Sequence, residues 1–374
     1  MAYGFQFKRY RRPLRAPWRT AHGTWTEREG IIVRLENEAG REGYGEIAPI
    51  ASFGTETLAE AEGVCRKFGD KVSAGVLDAV PEKFGCVRFA LAQAFSSIPS
   101  GEGCPPGRGV SQAGAGSTPP VASAVAKPMA DRSRHTSPEG IKGARLAVAA
   151  LLPAGREVLP ALAGKLEAGF LAFKWKVGVG AVDDELGLLD DLLAQLPAHA
   201  RLRLDANGAW SRRQAGRWLE RCAERPVEFV EQPVAPADED SLLGLAGDFP
   251  VKLALDESVV RLAEARRWQG LGWPGIFVIK PALAGPLAEL TAWIATTKAD
   301  VVISSAIETA LGRSAILQAV LNGTLTKRAL GFGTGGIFGD RRWDGPVIGP
   351  LADASCIALN PGEELWPALE AAGN

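Results

Sequence analysis

Short apolar runs that end in a charged residue recur through the second half of the chain. They read FKWKVG, RLRLDAN, VEFVEQP, VKLALDES and GIFVIKP, and their terminal charges are Lys176, Asp205, Glu231, Asp256 and Lys280. Successive charges lie 29, 26, 25 and 24 positions apart. Each run has the composition of a buried strand and is followed closely by Gly, Ser or Pro. The pattern predicts one strand-and-helix unit that is repeated.

The same spacing extends the series at both ends, with strand ends predicted near Leu152, Ser304 and Gly331. Helical stretches such as GREVLPALAGKLEAG lie between the strands. Eight strands that alternate with helices predict an α/β fold, a TIM-type barrel, in which the carboxyl ends of all strands meet at one mouth. No regular helix is evident after Gly331, so the eighth helix is predicted to be missing or replaced.

The remaining segments differ in composition. Residues 1–95 predict an α+β domain, in which strands GIIVRLEN and GYGEIAPI are followed by two helices. Gly, Ser, Pro and Ala dominate residues 96–143, which predicts a flexible insertion, with a functional lid as the alternative. The barrel is assigned to residues 144–335, and the tail 336–374 is expected to pack on the first domain.

Composition narrows the class of protein. The 374 residues are 46% hydrophobic and carry a net charge of −1, which is typical of a soluble globular protein and indicates neither a nucleic-acid nor a membrane partner. The five cysteines are scattered without a CxxC pair, so reduced thiols and a cytoplasmic location are expected. No apolar segment approaches the roughly 18 residues of a membrane span. Oligomeric state is left open.

Alternation along the strands predicts which side chains face the barrel interior. Lys174 and Lys176 share one face, as do Arg203, Asp205 and Asn207. The three acids Asp205, Glu231 and Asp256 would supply hard oxygen ligands without His or Cys, a set that favours Mg²⁺ over zinc. The alternative is a metal-free lattice of buried ion pairs with the lysines.

The lysines suggest proton transfer. A lysine acts as a base only when neutral, and a neighbouring cation such as Lys174 or a metal should lower the pKa of Lys176. Lys280 leaves the sheet four strands later and would approach the opposite side of a bound small-molecule substrate. The histidines do not fall at strand ends, which disfavours a histidine base. Ser305 and Glu308 have the spacing of a helix capping box at the mouth.

Taken in order with GREGYGEIAPIASFGTET, LLPAG and SSAIETALG, these motifs make most of the chain resemble the o-succinylbenzoate synthase family of the enolase superfamily. The resemblance implies a (β/α)7β barrel with an α+β capping domain and Mg²⁺ on Asp205, Glu231 and Asp256. It implies syn-dehydration of 2-succinyl-6-hydroxy-2,4-cyclohexadiene-1-carboxylate to 2-succinylbenzoate in menaquinone or phylloquinone biosynthesis. Lys176 would abstract the α-proton and protonate the departing hydroxyl, while Lys280 would stabilise the charge that develops.

The resemblance also implies roles for neighbouring residues. Lys174, Arg203 and Asn207 would support the site, and loops around His22 and Phe53 would close over the substrate. Amides near Ser304, Ser305 and Gly331 would receive the succinyl carboxylate. The insertion at 96–143 is longer than expected for the family, which leaves the domain junction open.

Three other functions fit part of the pattern. An N-succinylamino acid racemase or a dipeptide epimerase of the same superfamily would use two lysines in the same places, although dipeptide epimerases carry D-x-D where this chain reads SSAIE. Muconate-type lactonisation is a further alternative within the superfamily. A catalytically silent barrel that serves as a binding scaffold would be expected to have lost a ligand or a lysine.

Overall fold

The computed structural model describes residues 2–20, 23–99, 144–323 and 325–371. Residues 100–143 of the predicted insertion lie outside the described residues. His22 lies outside them as well. In the described parts, no helix has the length and apolar character needed to cross a membrane.

An antiparallel four-stranded sheet and three helices form the capping domain. The sheet order is β3-β2-β1-β4. Its strands are β1 (Ala2–Thr20), β2 (Gly23–Glu36), β3 (Glu42–Ile47) and β4 (Lys71–Ser73). Its helices are α1 (Leu58–Phe68), α2 (Val76–Ala79) and α3 (Gly85–Ser97). Gly45 of β3 allows α3 to pack closely, because a Cβ there would collide with the carbonyl of Ala90.

Seven parallel strands follow one another in chain order around the second sheet, as the repeat predicts. They are β6 (Ala149–Leu152), β7 (Ala172–Lys176), β8 (Arg201–Asp205), β9 (Val227–Glu231), β10 (Leu253–Leu255), β11 (Ile276–Ile279) and β12 (Val301–Ile303). Residues 330–331 close the ring, since Leu330 bridges to Val148 and Gly331 bridges to Ser304, both in parallel. The predicted TIM-type barrel is therefore confirmed.

Helices connect the successive strands on the outside of the barrel. They are α4 (Val158–Glu167), α5 (Val182–Gln195), α6 (Arg212–Cys222), α7 (Glu239–Asp248), α8 (Leu262–Gly270), α9 (Pro281–Ala284), α10 (Leu287–Thr297) and α11 (Ala310–Leu321). Trp175 shows how they pack: it points outward from β7 and meets Trp218 of α6 with ring centroids 6.1 Å apart. The neighbouring lysines on β7 consequently face inward.

The chain after Gly331 returns to the capping domain. It forms α12 (Arg341–Asp344), β13 (Leu351–Ala352) and α13 (Pro361–Ala371), and β13 pairs antiparallel with β5 (Leu146–Ala147). Trp366 of α13 packs on Tyr44 of β3, with ring centroids 6.1 Å apart. The tail thus covers the capping sheet, although the domain boundaries assigned from the sequence stay a prediction.

Glu46 of β3 joins the capping domain to the barrel. Its buried carboxylate accepts hydrogen bonds from the Thr309 amide at 2.9 Å, the Thr309 hydroxyl at 2.7 Å and the Gly312 amide at 2.9 Å. The Tyr10 hydroxyl donates to the same carboxylate at 2.6 Å. The first turn of α11 has amides without intrahelical partners, and a carboxylate there also opposes the positive end of the helix dipole. A residue of one domain therefore caps a helix of the other.

Replacing Glu46 by Gln should destabilise the native state. The amide group turns an acceptor into a donor that faces N–H and O–H groups, so at least one buried donor loses its partner at a cost of about 3 kcal/mol. Denaturant unfolding followed by circular dichroism would measure the change. Glu36→Gln on β2 is the control, since Glu36 is exposed. Equal stabilities of the two variants would contradict this role for Glu46.

Candidate active site

The predicted charged residues gather at one mouth of the barrel. Lys176, Asp205 and Glu231 are the last residues of β7, β8 and β9, and the sheet register places them side by side. Asp256 and Lys280 directly follow β10 and β11. The parallel strands thus bring together five side chains that are up to 104 residues apart in sequence.

Two lysines contact the three carboxylates. The Lys174 ammonium lies 2.8 Å from Asp205 Oδ2 and 2.6 Å from Glu231 Oε1. Lys280 Nζ donates to Asp256 Oδ1. All three acids are buried, at 6%, 1% and 4% exposure for Asp205, Glu231 and Asp256. The ion-pair lattice considered from the sequence is thus present, and it holds the acids together in the protein interior.

Burial and mutual repulsion shift the pKa values of these acids. Burial raises the pKa of Glu231 well above its usual value, and the neighbouring Asp205 and Asp256 raise it further. At Asp205, burial alone would raise the pKa, but the Lys174 ammonium holds it below the usual value. Burial raises the pKa of the adjacent Glu257 to about 7, with Asp256 and Asp205 adding to the effect. The mouth therefore concentrates more negative charge than it readily accommodates, which suits a cation.

The atoms at the mouth that could ligate a metal ion are carboxylate and amide oxygens, which fit a hard divalent cation such as Mg²⁺. Two of these oxygens, Asn207 Oδ1 and Glu257 Oε2, are buried beside the acids without a hydrogen-bond partner in the described protein. The described residues contain no group of three or more His, Cys, Asp or Glu side chains already arranged to hold a metal ion, and the lysines contact the carboxylates. The fit rests on donor type and charge, and Asp205, Glu231 and Asp256 would hold the ion.

Lys176 differs from the other two lysines of the mouth. In the described parts of the chain, its ammonium makes no ion pair or hydrogen bond. Burial lowers its pKa, and the charge of Lys174 lowers it further, against the opposing effect of Asp205. By contrast, burial would lower the pKa of Lys174, but Asp205 and Glu231 raise it above the usual value. Of these two lysines, Lys176 more readily becomes neutral.

The predicted supporting residues occupy two levels of the barrel. Arg203 lies one layer below Asp205, where it donates to Glu228 at 2.7 Å and to the carbonyl of Ala329 at 2.8 Å. Asn207 lies at the mouth, in the turn after β8, and donates to Glu257 at 3.0 Å. Arg203 thus supports the barrel floor, whereas Asn207 borders the acids.

That amides near Ser304, Ser305 and Gly331 bind substrate stays a prediction, but the amides of these three residues themselves are already engaged. They donate to the carbonyls of Ile279, Gly331 and Ile303 at 2.9, 3.1 and 2.9 Å, because residues 304 and 331 complete the barrel pairing. The Ser304 hydroxyl also has a partner, since it donates to the carbonyl of Gly331 at 3.3 Å. His22 is outside the described residues.

The prediction of a capping box at Ser305 and Glu308 is wrong. The Ser305 hydroxyl does donate to Glu308, at 3.1 Å, but α11 begins later, at Ala310, and Thr309 is its N-cap. Glu308 accepts from the Ala306 amide at 2.6 Å and so stabilises a turn before the helix. Residues 304–309, here termed the β12 loop, therefore continue above the mouth as an irregular segment.

The capping domain reaches over the same mouth. The ring of Phe53 lies above Lys280, with the Nζ atom 4.1 Å from the ring centroid. A cleft of about 440 Å³ opens beside this segment and is lined by Trp25, Arg28, Pro49 and Ser52, among others. The segment around Phe53, which the sequence predicts to cover a substrate, thus lies directly above Lys280.

Two family models match the chain, one in the capping domain and one in the barrel. A family model described as "MenC, N-terminal domain" matches residues 5–98, and one described as "Enolase C-terminal domain-like" matches residues 158–324. An o-succinylbenzoate synthase of Thermosynechococcus vestitus is 35% identical over 371 residues, which cover 98% of this chain and 99% of the relative. The chain belongs to the o-succinylbenzoate synthase family.

Solved structures agree with this assignment. The crystal structure of o-succinylbenzoate synthase from Thermosynechococcus elongatus, complexed with Mg in its active site, matches with a TM-score of 0.76 and 34% identity over 98% of this chain and 99% of that one. The L-Ala-D/L-Glu epimerase of Bacillus subtilis matches with a TM-score of 0.69 at 18% identity, over 93% and 95%. The second likeness shows the shared fold alone and does not extend to the chemistry.

Sequence reasoning missed two groups of residues. Gln232 follows Glu231 and accepts hydrogen bonds from the amides of Asp256 and Ser258, at 3.1 and 3.2 Å, so it fixes the turn that carries Asp256. The sequence did contain a signal for Gln232, because it is a polar residue directly after an acid at the end of a strand. Arg28 and Glu46 gave no such signal, because they lie in capping-domain strands and act across the domain boundary.

Mg²⁺ should raise the unfolding temperature of the metal-free protein, because a ligand that binds the native state stabilises it. Glu231→Gln removes a charged oxygen, so the Mg²⁺-dependent rise should largely disappear. Thermal unfolding with and without Mg²⁺ would measure it. Asp248→Asn serves as the control, since Asp248 lies on the barrel exterior in a pair with Arg212. An undiminished Mg²⁺ effect in Glu231→Gln would rule out Glu231 as a ligand.

Proposed function

We propose that this protein is an o-succinylbenzoate synthase that dehydrates 2-succinyl-6-hydroxy-2,4-cyclohexadiene-1-carboxylate to 2-succinylbenzoate, a step of menaquinone or phylloquinone biosynthesis. Support comes from the 35% identity that extends over nearly the whole of both chains. The chain combines a MenC-type N-terminal domain with an enolase-type barrel, and this combination supports the same reaction. The enzyme class is accordingly a carbon–oxygen lyase.

The observation that carries the mechanism is the Lys176 amine beside the acid cluster, which makes no ion pair or hydrogen bond with the residues that the structure describes. General-base catalysis requires a neutral amine at working pH, and burial with a neighbouring Lys174 favours that form. Lys174 and Lys280 both contact carboxylates, and the contacts raise the pKa of Lys174 above its usual value. One lysine is thus suited to move a proton and the others to hold positive charge.

In the proposed reaction, the Lys176 amine takes the proton from the carbon that bears the substrate carboxylate. The electron pair of that C–H bond becomes part of the new ring double bond as the C–O bond of the hydroxyl group breaks. The Lys176 ammonium then donates its proton to the departing oxygen, which leaves as water. Lys176 ends neutral, and removal and return of the proton on one face make the elimination syn.

Negative charge develops near the substrate carboxylate as the C–H bond breaks. The Lys280 ammonium, from across the barrel, offers a positive charge at that place. When bound, Mg²⁺ would act as a Lewis acid on the carboxylate oxygens, held by Asp205, Glu231 and Asp256. Phe53 above Lys280 would limit access of water to the reacting face.

Racemisation is the rival reaction, because it also uses a lysine on each side of the α-carbon. It requires both lysines to exchange protons with substrate. Here Lys176 has no partner in the described parts of the chain, whereas Lys280 donates to Asp256, so the two sides are unequal. This asymmetry favours the one-base dehydration over two-base exchange.

We infer a small-molecule substrate and a cytoplasmic location for the enzyme. The four described cysteines, Cys65, Cys86, Cys222 and Cys356, are buried free thiols, as expected in a reducing compartment. Nucleic acid is not expected as a partner, since the net charge is −1.

Lys176→Met should lower the rate of dehydration by about 10³-fold or more, because the base and the acid of the reaction are one group. The absorbance change on conversion of the cyclohexadiene substrate with Mg²⁺ would measure it. Lys165→Met on α4 is the control, as Lys165 lies on an outer helix. In the unaltered enzyme, activity should rise with pH as Lys176 loses its proton and level off below the usual lysine pKa. Full activity of Lys176→Met would contradict the assigned base.

Exchange at the α-carbon separates dehydratase from racemase. N-succinylamino acids incubated with enzyme and Mg²⁺ in deuterated water should exchange their α-proton much more slowly than the cyclohexadiene substrate is dehydrated, because Lys280 is held by Asp256. Proton NMR would follow the loss of the α-signal. Exchange as fast as dehydration would show that racemisation is an equal activity.

A further inference from the structure

Arg28 of β2 makes an unusual set of contacts. It is 5% exposed, and its guanidinium donates to the carbonyls of Glu29, Ala48 and Pro49 in the capping domain. It also donates to two carbonyls of the β12 loop, Ile307 at 3.1 Å and Ala306 at 3.4 Å. These five bonds use all the donors of the guanidinium group. In the described chain, no carboxylate forms an ion pair with it.

The β12 loop adopts a conformation that its own residues do not favour. Ile307 has a φ of 59°, in the left-handed region that a β-branched residue rarely occupies. Such a conformation persists where the surroundings enforce it. Arg28 holds the carbonyl of Ile307, and the Ile307 side chain packs against a cluster that includes Tyr10 and Leu14 of β1. The capping domain therefore supplies the contacts that impose this shape.

The loop borders the mouth on the strand next to that of Lys280, where the proposed function would place the far end of the substrate. It begins at Ser304, which follows the strand next to that of Lys280 and faces inward. Its other end is fixed by Glu46 at Thr309. The amides at 304, 305 and 331 are engaged in the barrel pairing, so a substrate carboxylate here needs another source of positive potential.

We propose that Arg28 is a positioning residue for the second carboxylate of the substrate, the one on the succinyl arm. It holds the β12 loop in the shape that receives the arm, and its unpaired charge favours an anion at that end of the site. This inference rests on the proposed function, which supplies the two-carboxylate substrate. Arg28 touches neither the reacting carbon nor the metal-binding acids, and it acts through the loop.

A purely structural role, holding the two domains together, is the competing explanation. The chain offers a matched control in Arg88 of α3, which also crosses from the capping domain to the barrel. It donates to Glu289 of α10 at 2.6 Å, away from the β12 loop. Loss of a domain contact is common to Arg28→Met and Arg88→Met, whereas loss of the loop contact is specific to the first.

The test measures binding by calorimetric titration of the Mg²⁺-loaded enzyme. Two ligands are compared: 2-succinylbenzoate, and 2-butyrylbenzoate, in which a methyl group replaces the second carboxylate. Arg28→Met should weaken 2-succinylbenzoate binding roughly 10- to 100-fold, as expected when a remote change misplaces a binding group. It should leave 2-butyrylbenzoate binding nearly unchanged. Arg88→Met should change neither, and in steady-state assays Arg28→Met should raise KM more than it lowers kcat.

Arg28→Lys keeps the charge but loses the planar fork that reaches two sets of carbonyls, so its effect should be intermediate. If Arg28→Met does not fold, this variant provides the same comparison of the two ligands. Equal weakening of both ligands, or an equal effect of Arg88→Met, would overturn the proposal. If the unaltered enzyme binds 2-succinylbenzoate selectively but Arg28 has no influence, the inference fails alone. If it neither binds nor forms 2-succinylbenzoate, the proposed function fails as well.

Discussion

The structure depends on the balance of charge at the barrel mouth. Three carboxylates from successive strands are buried there, and unpaired burial of even one is strongly unfavourable. Lys174 lies between Asp205 and Glu231, and Lys280 contacts Asp256. The remaining excess of negative charge is what makes the mouth a fitting site for a divalent cation. Stability and chemistry thus draw on the same set of ions.

The same balance divides the lysines into two kinds. Lys174 and Lys280 contact carboxylates, while the amine of Lys176, at the end of β7, has no partner among the described residues. Similar residues therefore acquire different properties through their neighbours. An enzyme that removes a proton with one amine and stabilises charge with others needs this difference, and the fold provides it by strand register.

The capping domain contributes more than a cover. Glu46 caps the helix that follows the seventh barrel strand, and Arg28 holds the loop before that helix in a strained conformation. Because Tyr10 bonds Glu46 and α13 packs on the same sheet, the chain termini support these contacts. The shape of the β12 loop at the mouth is consequently set by residues outside the barrel.

The sequence alone determined the barrel and the acids. A repeat of apolar runs with terminal charges specifies parallel strands, and alternation along each strand fixes which side chains face inward, so Lys176, Asp205, Glu231, Asp256 and Lys280 were predictable. Tertiary structure decided what depends on contacts distant in sequence: the N-cap of α11 at Thr309 instead of Ser305, the engaged amides of Ser304 and Gly331, and the contacts made by Arg28 and Glu46. Local patterns report periodicity and spacing, but they do not reveal which donor finds which acceptor when two domains meet.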